Sequence, residues 1–425
     1  MQKPTRPSPA PPFETREGGR DPLARAVWAL GITELIAWGT TFYALGVLGR
    51  PISAGTGWSQ SLVFGGMTAG LVASGIISTW VGRAIDRVGG RPVMTVGLVM
   101  AALGHVVVAS AHAEWVYLAG WLLLGPAMRM ILYDAAFAAI VQVLPTRGRR
   151  AISYLTLFGG LASTVFWPVG HWLDGAIGWR GTLLVFAALN LLVAAPLAWW
   201  GLGCREPRSL ALAQREIQEA DLHPDRDQPP LDGGARLVTM LLLGLMLAAN
   251  AFVFGALSVH LVSVLQSTGL ALGVAVGLAS LKGVAQVAGR LWELYYGQRM
   301  AAVSVGRIAI GLLPLSLAVL VLAGSSFATA LLFTLLLGIS NGLVTIVRGA
   351  VPLALFGPEG YGTLLGILAV PQLMLNAAAP FAYAAIVDAF GATAGHWLLL
   401  GSATLSLLAM EAVARWVAWV RRRAE

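Results

Sequence analysis

Gly82-Arg83-Ala84-Ile85-Asp86-Arg87-Val88-Gly89-Gly90-Arg91-Pro92 lies between two long apolar runs. Three arginines and an aspartate this close together cannot lie in hydrocarbon unless each charge is compensated, whereas arginines at the cytoplasmic headgroup level are favoured. The stretch therefore predicts a tight cytoplasmic loop joining a second membrane span to a third. Gly89 and Gly90 suit a sharp reversal because glycine tolerates positive φ, and Pro92 suits the first turn of the following helix.

The pattern returns 207 positions later, where Gly289, Arg290, Glu293 and Gly297 repeat Gly82, Arg83, Asp86 and Gly90. At the same offset Tyr154-Leu155-Thr156-Leu157-Phe158-Gly159 is matched by Tyr361-Gly362-Thr363-Leu364-Leu365-Gly366. Self-similarity at one fixed period in an apolar chain predicts two homologous halves, the plan of transporters built from parallel repeats.

The Gly-Arg-x-x-Asp-Arg-x-Gly-x-Arg run after the second span resembles the signature loop of the major facilitator superfamily, and its degenerate copy after the eighth span adds to the likeness. The resemblance covers nearly the whole chain. It implies an all-α membrane protein with twelve transmembrane helices in two pseudo-symmetric six-helix bundles, around a central cavity that opens alternately to each side. Gly57-Trp58-Ser59, opening the second span, resembles the monocarboxylate-transporter-like branch, including bacterial oxalate:formate-type antiporters. A Ser59 N-cap with an interfacial Trp58 explains the same three residues without any function.

Composition bounds the class independently. With 57% hydrophobic and 11% charged residues and a mean hydropathy of +0.76, the chain lies outside soluble usage. Spans are expected at 26–48, 59–81, 93–110, 115–143, 151–173, 181–203, 237–264, 271–289, 301–322, 327–347, 363–387 and 395–420. The net charge of +8 distributes by topology rather than marking a nucleic-acid partner: 22 of the 28 Lys and Arg fall in one set of loops and tails, and only Arg50 and Arg180 in the other. That asymmetry predicts both termini in the cytoplasm, with a bacterial inner membrane the expected site. The expected organisation is a disordered cytoplasmic tail (1–22), an N-terminal bundle (23–203), a cytoplasmic linker (204–236) with a short surface helix from Ser209 to Ala220, a C-terminal bundle (237–420) and a cytoplasmic tail (421–425). The single cysteine, Cys204, forms no internal disulfide and offers no metal cluster. No phosphate-binding glycine loop is present, so neither ATP nor another cofactor is expected, and no enzymatic site is evident.

The residues that carry chemistry are the charges inside spans. Glu34 in the first span, with Trp38 one turn later on the same face, should pair, face water or hold a proton, or else make a structural hydrogen bond to a neighbouring helix. Arg129 lies near mid-depth of the fourth span and shares a face with Tyr133, whereas Asp134 should point elsewhere, with Arg83 its expected partner. Arg129 either faces solute or pairs with Glu34. In the fifth span Pro168 should kink the helix. Lys282, Gln286, Arg290 and Glu293 form one polar stripe on the eighth span, and the resemblance to carboxylate transporters makes Lys282 a candidate solute ligand. Oxalate-type members place a second cation on the eleventh span, where this chain has Gln372 and Asn376. On the tenth, Asn341, Thr345 and Arg348 share a face; Arg348 either joins Asp134 in a gate network or snorkels to headgroups.

These positions give three expected groups: a solute site of Arg129, Lys282, Tyr133, Gln286, Asn341, Gln372 and Asn376; a proton carrier, Glu34; and a gate and loop set of Gly82, Arg83, Asp86, Arg87, Gly90, Arg91, Asp134, Gly289, Arg290, Glu293 and Arg348. The expected function is secondary transport of a small anionic, carboxylate-like solute, coupled to protons, by a monomer in the lipid bilayer. An exporter of drugs or toxic metalloid species is the alternative. The helix 5 and helix 4 runs Trp167-Pro168-Val169-Gly170 and Trp121 to Gly125 depart from the patterns of proton-driven drug exporters. A sensor of the same fold would need a signalling domain.

Overall fold

The computed structural model describes residues 22–204, 229–322 and 326–424. The expected tail, apart from Pro22, and the expected helix at Ser209 to Ala220 lie outside the described residues. The N-terminal half comprises α1 (Pro22–Ala37), a π-helical turn (Trp38–Phe42), α2 (Ala44–Thr56), α3 (Gln60–Val88), α4 (Gly90–Ala109), α5 (Glu114–Ile131), α6 (Tyr133–Val143), α7 (Gly148–Gly160), α8 (Ala162–Ala188), a second π-turn (Leu189–Ala194) and α9 (Ala195–Gly201). The C-terminal half comprises α10 (Gly233–Ser267), α11 (Leu272–Tyr295), α12 (Ala302–Leu322), α13 (Phe327–Phe356), α14 (Tyr361–Phe390) and α15 (Ala392–Ala424).

Eleven helical runs among the described residues are long and apolar enough to cross a membrane. In hydrocarbon every backbone polar group must be satisfied within the segment, so apolar runs of this length form helices. Side chains mark the starts. Ser59 Oγ accepts the Leu62 N–H at 3.1 Å, as its N-cap position predicts, and Ser326 does the same for Thr329.

Four local expectations need correction. The stretch at 82–92 is not an open loop: α3 runs to Val88, α4 starts at Gly90, and the reversal falls on Gly89 alone (φ 91°, ψ 157°). Helix formation satisfies more backbone groups than a loop would, and only glycine accommodates that φ without strain. The eighth and tenth spans likewise extend past their apolar windows, so Arg290, Glu293 and Arg348 are helical residues. The fifth span, expected as one helix over 151–173, is interrupted at Leu161 between α7 and α8, the run from 148 to 201 breaks again at Gly178 (φ 70°, ψ 170°), and Pro168 lies inside α8. Finally, the fourth span is two helices. Leu132 is extended (φ −84°, ψ −178°), and no glycine or proline between 128 and 140 announces the break.

The two halves meet along α3 and α14, with α6 also against α14 and α7 against α11 and α13. At Gly82 the two backbones lie close together, and a side chain there would collide with the carbonyl of Gly362. Further along, Gly366 sits on Ser78 and Gly75 on Met374. Past Asn376, α14 turns to its own half, where Gly255 of α10 packs on the Asn376 backbone and His260 bonds the Pro380 carbonyl.

Candidate functional site

Where α3 and α14 begin to part, a cavity of about 120 Å³ lies between the halves. That holds several waters, since one needs roughly 10–15 Å³ on the same scale. Its polar lining is Ser74, Arg129, Asp134, Arg348, Gln372 and Asn376, and its apolar wall includes Trp38 and Phe42. The extended residue at Leu132 resets the helical phase, so Arg129 and Asp134 face one cavity although their spacing along a continuous helix would separate them.

Asp134 does not pair with Arg83, which is exposed at the far end of α3. Its partner is Arg348, 214 residues away in the opposite half: Arg348 Nε donates to Asp134 Oδ1 at 3.0 Å, and Nη2 donates to the same oxygen. Arg129 is 4% exposed; its Nε donates to Ser78 Oγ, and its Nη1 has no partner. No ion pair joins it to Glu34 among the described residues. Glu34 is wholly buried. Its Oε2 accepts the Trp38 indole N–H at 2.9 Å, and Oε1 has no partner. The Trp38 ring lies 4.8 Å from that of Tyr133, whose hydroxyl donates to the Thr156 carbonyl rather than lining the cavity.

The polar stripe of α11 is real but faces elsewhere. Asn341 Nδ2 donates to Gln286 Oε1 at 3.4 Å and Arg290 Nη2 to Thr345 Oγ1 at 3.5 Å, so the stripe turns toward α13. Lys282, half-buried on the same helix, is not among the cavity's lining residues; the C-terminal half contributes Arg348 there instead.

At the arginine-rich end the two copies of the repeated pattern each bridge the halves. Asp86 accepts the backbone N–H groups of Gly362 (2.9 Å) and Thr363 (2.7 Å), capping α14 at its positive dipole end. Gln142 Oε1 accepts the Gly90 N–H, and Arg91 donates to the Trp199 carbonyl while its guanidinium lies 3.8 Å over that ring. Arg87 is exposed. Glu293, wholly buried, accepts from Ser153 (2.6 Å) and Gln298 (2.9 Å) and pairs with Arg149 of α7 at 3.5 Å. Gly289 packs on the Ile339 backbone.

The model of the Major Facilitator Superfamily matches residues 27–313, more than half of the chain. The chain belongs to this superfamily. It is a multi-pass membrane protein and a major facilitator transporter. Over 117 residues it is 30% identical to monocarboxylate transporter 13 of Rattus norvegicus, a match spanning 27% of this chain and 27% of that protein. Among solved structures, the human organic anion transporter MFSD10 (TETRAN) shares the fold with a TM-score of 0.69 at 21% identity, covering 92% of this chain and 100% of that one. The proton:xylose symporter XylE gives 0.67 at 14% identity, covering 91% and 94%. The E. coli fucose:proton symporter FucP gives 0.61 at 12%, covering 92% and 97%.

Sequence reasoning on this major facilitator chain missed Ser74 and Ser78. Both lie on α3, four residues apart and among Gly70, Gly75 and Gly82, so a small polar face at helical spacing was the available signal.

Proposed function

We propose that the protein moves a small, carboxylate-like anion by alternating access, with Glu34 carrying a coupling proton. The observation that supports this is Arg129: a buried guanidinium with an unpartnered donor, lining a cavity whose one carboxylate, Asp134, is already engaged by Arg348. Two guanidinium groups against one carboxylate leave that lining with a net positive charge. Uncompensated, such a charge is costly, and an anionic solute would neutralise it. Glu34 fits the proton role because it is buried one turn from the cavity wall with one carboxyl oxygen unpartnered.

Counting the run from 148 to 201 as two crossings divided at Gly178 brings the eleven candidate spans to twelve. The excess of arginine in one set of loops supports a reading with both termini in the cytoplasm, and a bacterial inner membrane is the site we propose. In that orientation the contacts at Asp86, Glu293 and Asp134–Arg348 form the inner gate, which would break when the cavity opens inward, and the molecule acts as a monomer without ATP.

The test is thermal stabilisation of the purified protein by carboxylates, inorganic oxyanions and lipophilic cations, with Arg129→Gln and Lys282→Gln in parallel. A ligand at 100 times its Kd stabilises by about 2.7 kcal/mol. Stabilisation by a carboxylate that Arg129→Gln abolishes is the expected result. Stabilisation by lipophilic cations, unchanged in Arg129→Gln, would replace this reading with drug export. Loss in Lys282→Gln alone would return the solute to α11.

A further inference from the structure

The π-turn Trp38–Phe42 interrupts the first span immediately after Glu34, where the Tyr43 N–H reaches back five residues to the Trp38 carbonyl at 3.0 Å. Such turns insert one residue into a helix and recur at functional sites. Here the turn has two unlike sides. Trp38 and Phe42 form part of the cavity wall. Thr40, buried on the other side, is tied to its own bundle: Asn190 Nδ2 donates to Thr40 Oγ1 at 2.8 Å, and His105 Nε2 lies 2.8 Å from the Thr40 carbonyl. Asn190 itself belongs to the second π-turn.

The cavity side is held differently. One bond restrains the Trp38 indole, and its acceptor is the carboxyl group of Glu34. The charges whose fields reach Glu34 are those of Asp134 on α6 and Arg348 on α13, with Tyr133 of α6 against the Trp38 ring and His105 on α4 behind the turn. A hydrogen bond to an ionised acceptor is roughly twice as strong as one to a neutral acceptor. Protonation of Glu34 therefore weakens the only polar restraint on a ring that forms the solute cavity, while the bonds to Asn190 and His105 stay in place.

We propose that Trp38 is a positioning residue that transmits the protonation state of Glu34 to the solute cavity through the π-turn. The inference rests on the proton-carrying role of Glu34 and adds the route by which the proton is felt. Binding the proton releases the wall formed by Trp38 and Phe42, and losing it draws the indole back. Solute and proton are thereby linked without touching.

Hydrogen exchange of the full chain in lipid nanodiscs, followed by mass spectrometry of peptides covering 38–46 and corrected for the intrinsic pH dependence, tests this without a known solute. Wild-type protection should fall about fivefold between pH 8 and pH 5.5. Glu34→Gln, a neutral acceptor at all pH values, should show the low-pH protection at both, and Trp38→Phe should show no pH response. A wild-type segment indifferent to pH overturns the inference, as does Trp38→Phe with the wild-type response. In the second case, loss of the response in Glu34→Gln leaves the proton role intact and removes only the route through Trp38. A wild-type response retained in Glu34→Gln removes the proton role itself. Should Trp38→Phe fail to fold, Glu34→Gln with the high-pH protection of wild type at pH 8 still overturns the route.

Discussion

The two copies of the repeated pattern do the same job by different chemistry. In the first, Asp86 reaches across to backbone N–H groups at the start of α14, and Arg83 beside it is exposed. In the second, Glu293 is wholly buried among Ser153, Gln298 and Arg149, and Arg290 is 2% exposed. At the repeat offset, Ser153 of α7 is the counterpart of Gly360, the residue before α14. The acid of each half thus docks on the matching place in the other half. A backbone partner asks nothing of the receiving side chains, whereas a side-chain network requires several residues to agree. The first copy is therefore the robust one and the second the sequence-dependent one.

The largest way to break this contrast is Glu293→Ala. Removing one partner of a buried charged network should cost about 3 kcal/mol, read as a lower melting temperature of the purified protein. A cost below that of Asp86→Ala would show that the side-chain network carries no more than the cap. Gly82→Ala comes next: its new methyl would meet the Gly362 backbone, and overpacking of that kind costs about 2 kcal/mol. Because the clash lies between the halves, thiol labelling of cysteines introduced near this end should also rise, and unchanged labelling would mean that the helices shift without parting. The smallest effect is expected from Asp86→Ala, about 1 kcal/mol for a lost helix cap, with Asp86→Asn falling between it and wild type because the amide oxygen still accepts.

Much of the fold was legible because it follows from one constraint. A backbone in hydrocarbon must bond to itself, so long apolar runs become helices, and repeated loops reveal repeated bundles. The shared face of Glu34 and Trp38 was legible too, although the bond expected to a neighbouring helix is made instead to the Trp38 indole one turn away. Helix phase across an interruption was not. Leu132 takes an extended conformation with no glycine or proline to signal it, and that single residue decides that Arg129 and Asp134 share a cavity. Lys282 shows the complementary limit. Its mid-span position says nothing of which neighbour its face meets, and in this structure it lies outside the cavity lining while Gln286 and Arg290 of the same stripe meet α13.

The sequence by itself determined that this chain is a two-bundle membrane protein with paired acidic-basic signatures, because hydropathy, charge asymmetry and the 207-residue offset are properties of residues in order. Only the tertiary structure decided the partners. Asp134 with Arg348, Asp86 with the start of α14, and the π-turn tied through Thr40 to Asn190 all join residues through packing between separate segments. Spacing along one helix fixes angles within that helix alone. The register of one helix against another is set by how small residues such as Gly82 and Gly362 let their backbones approach.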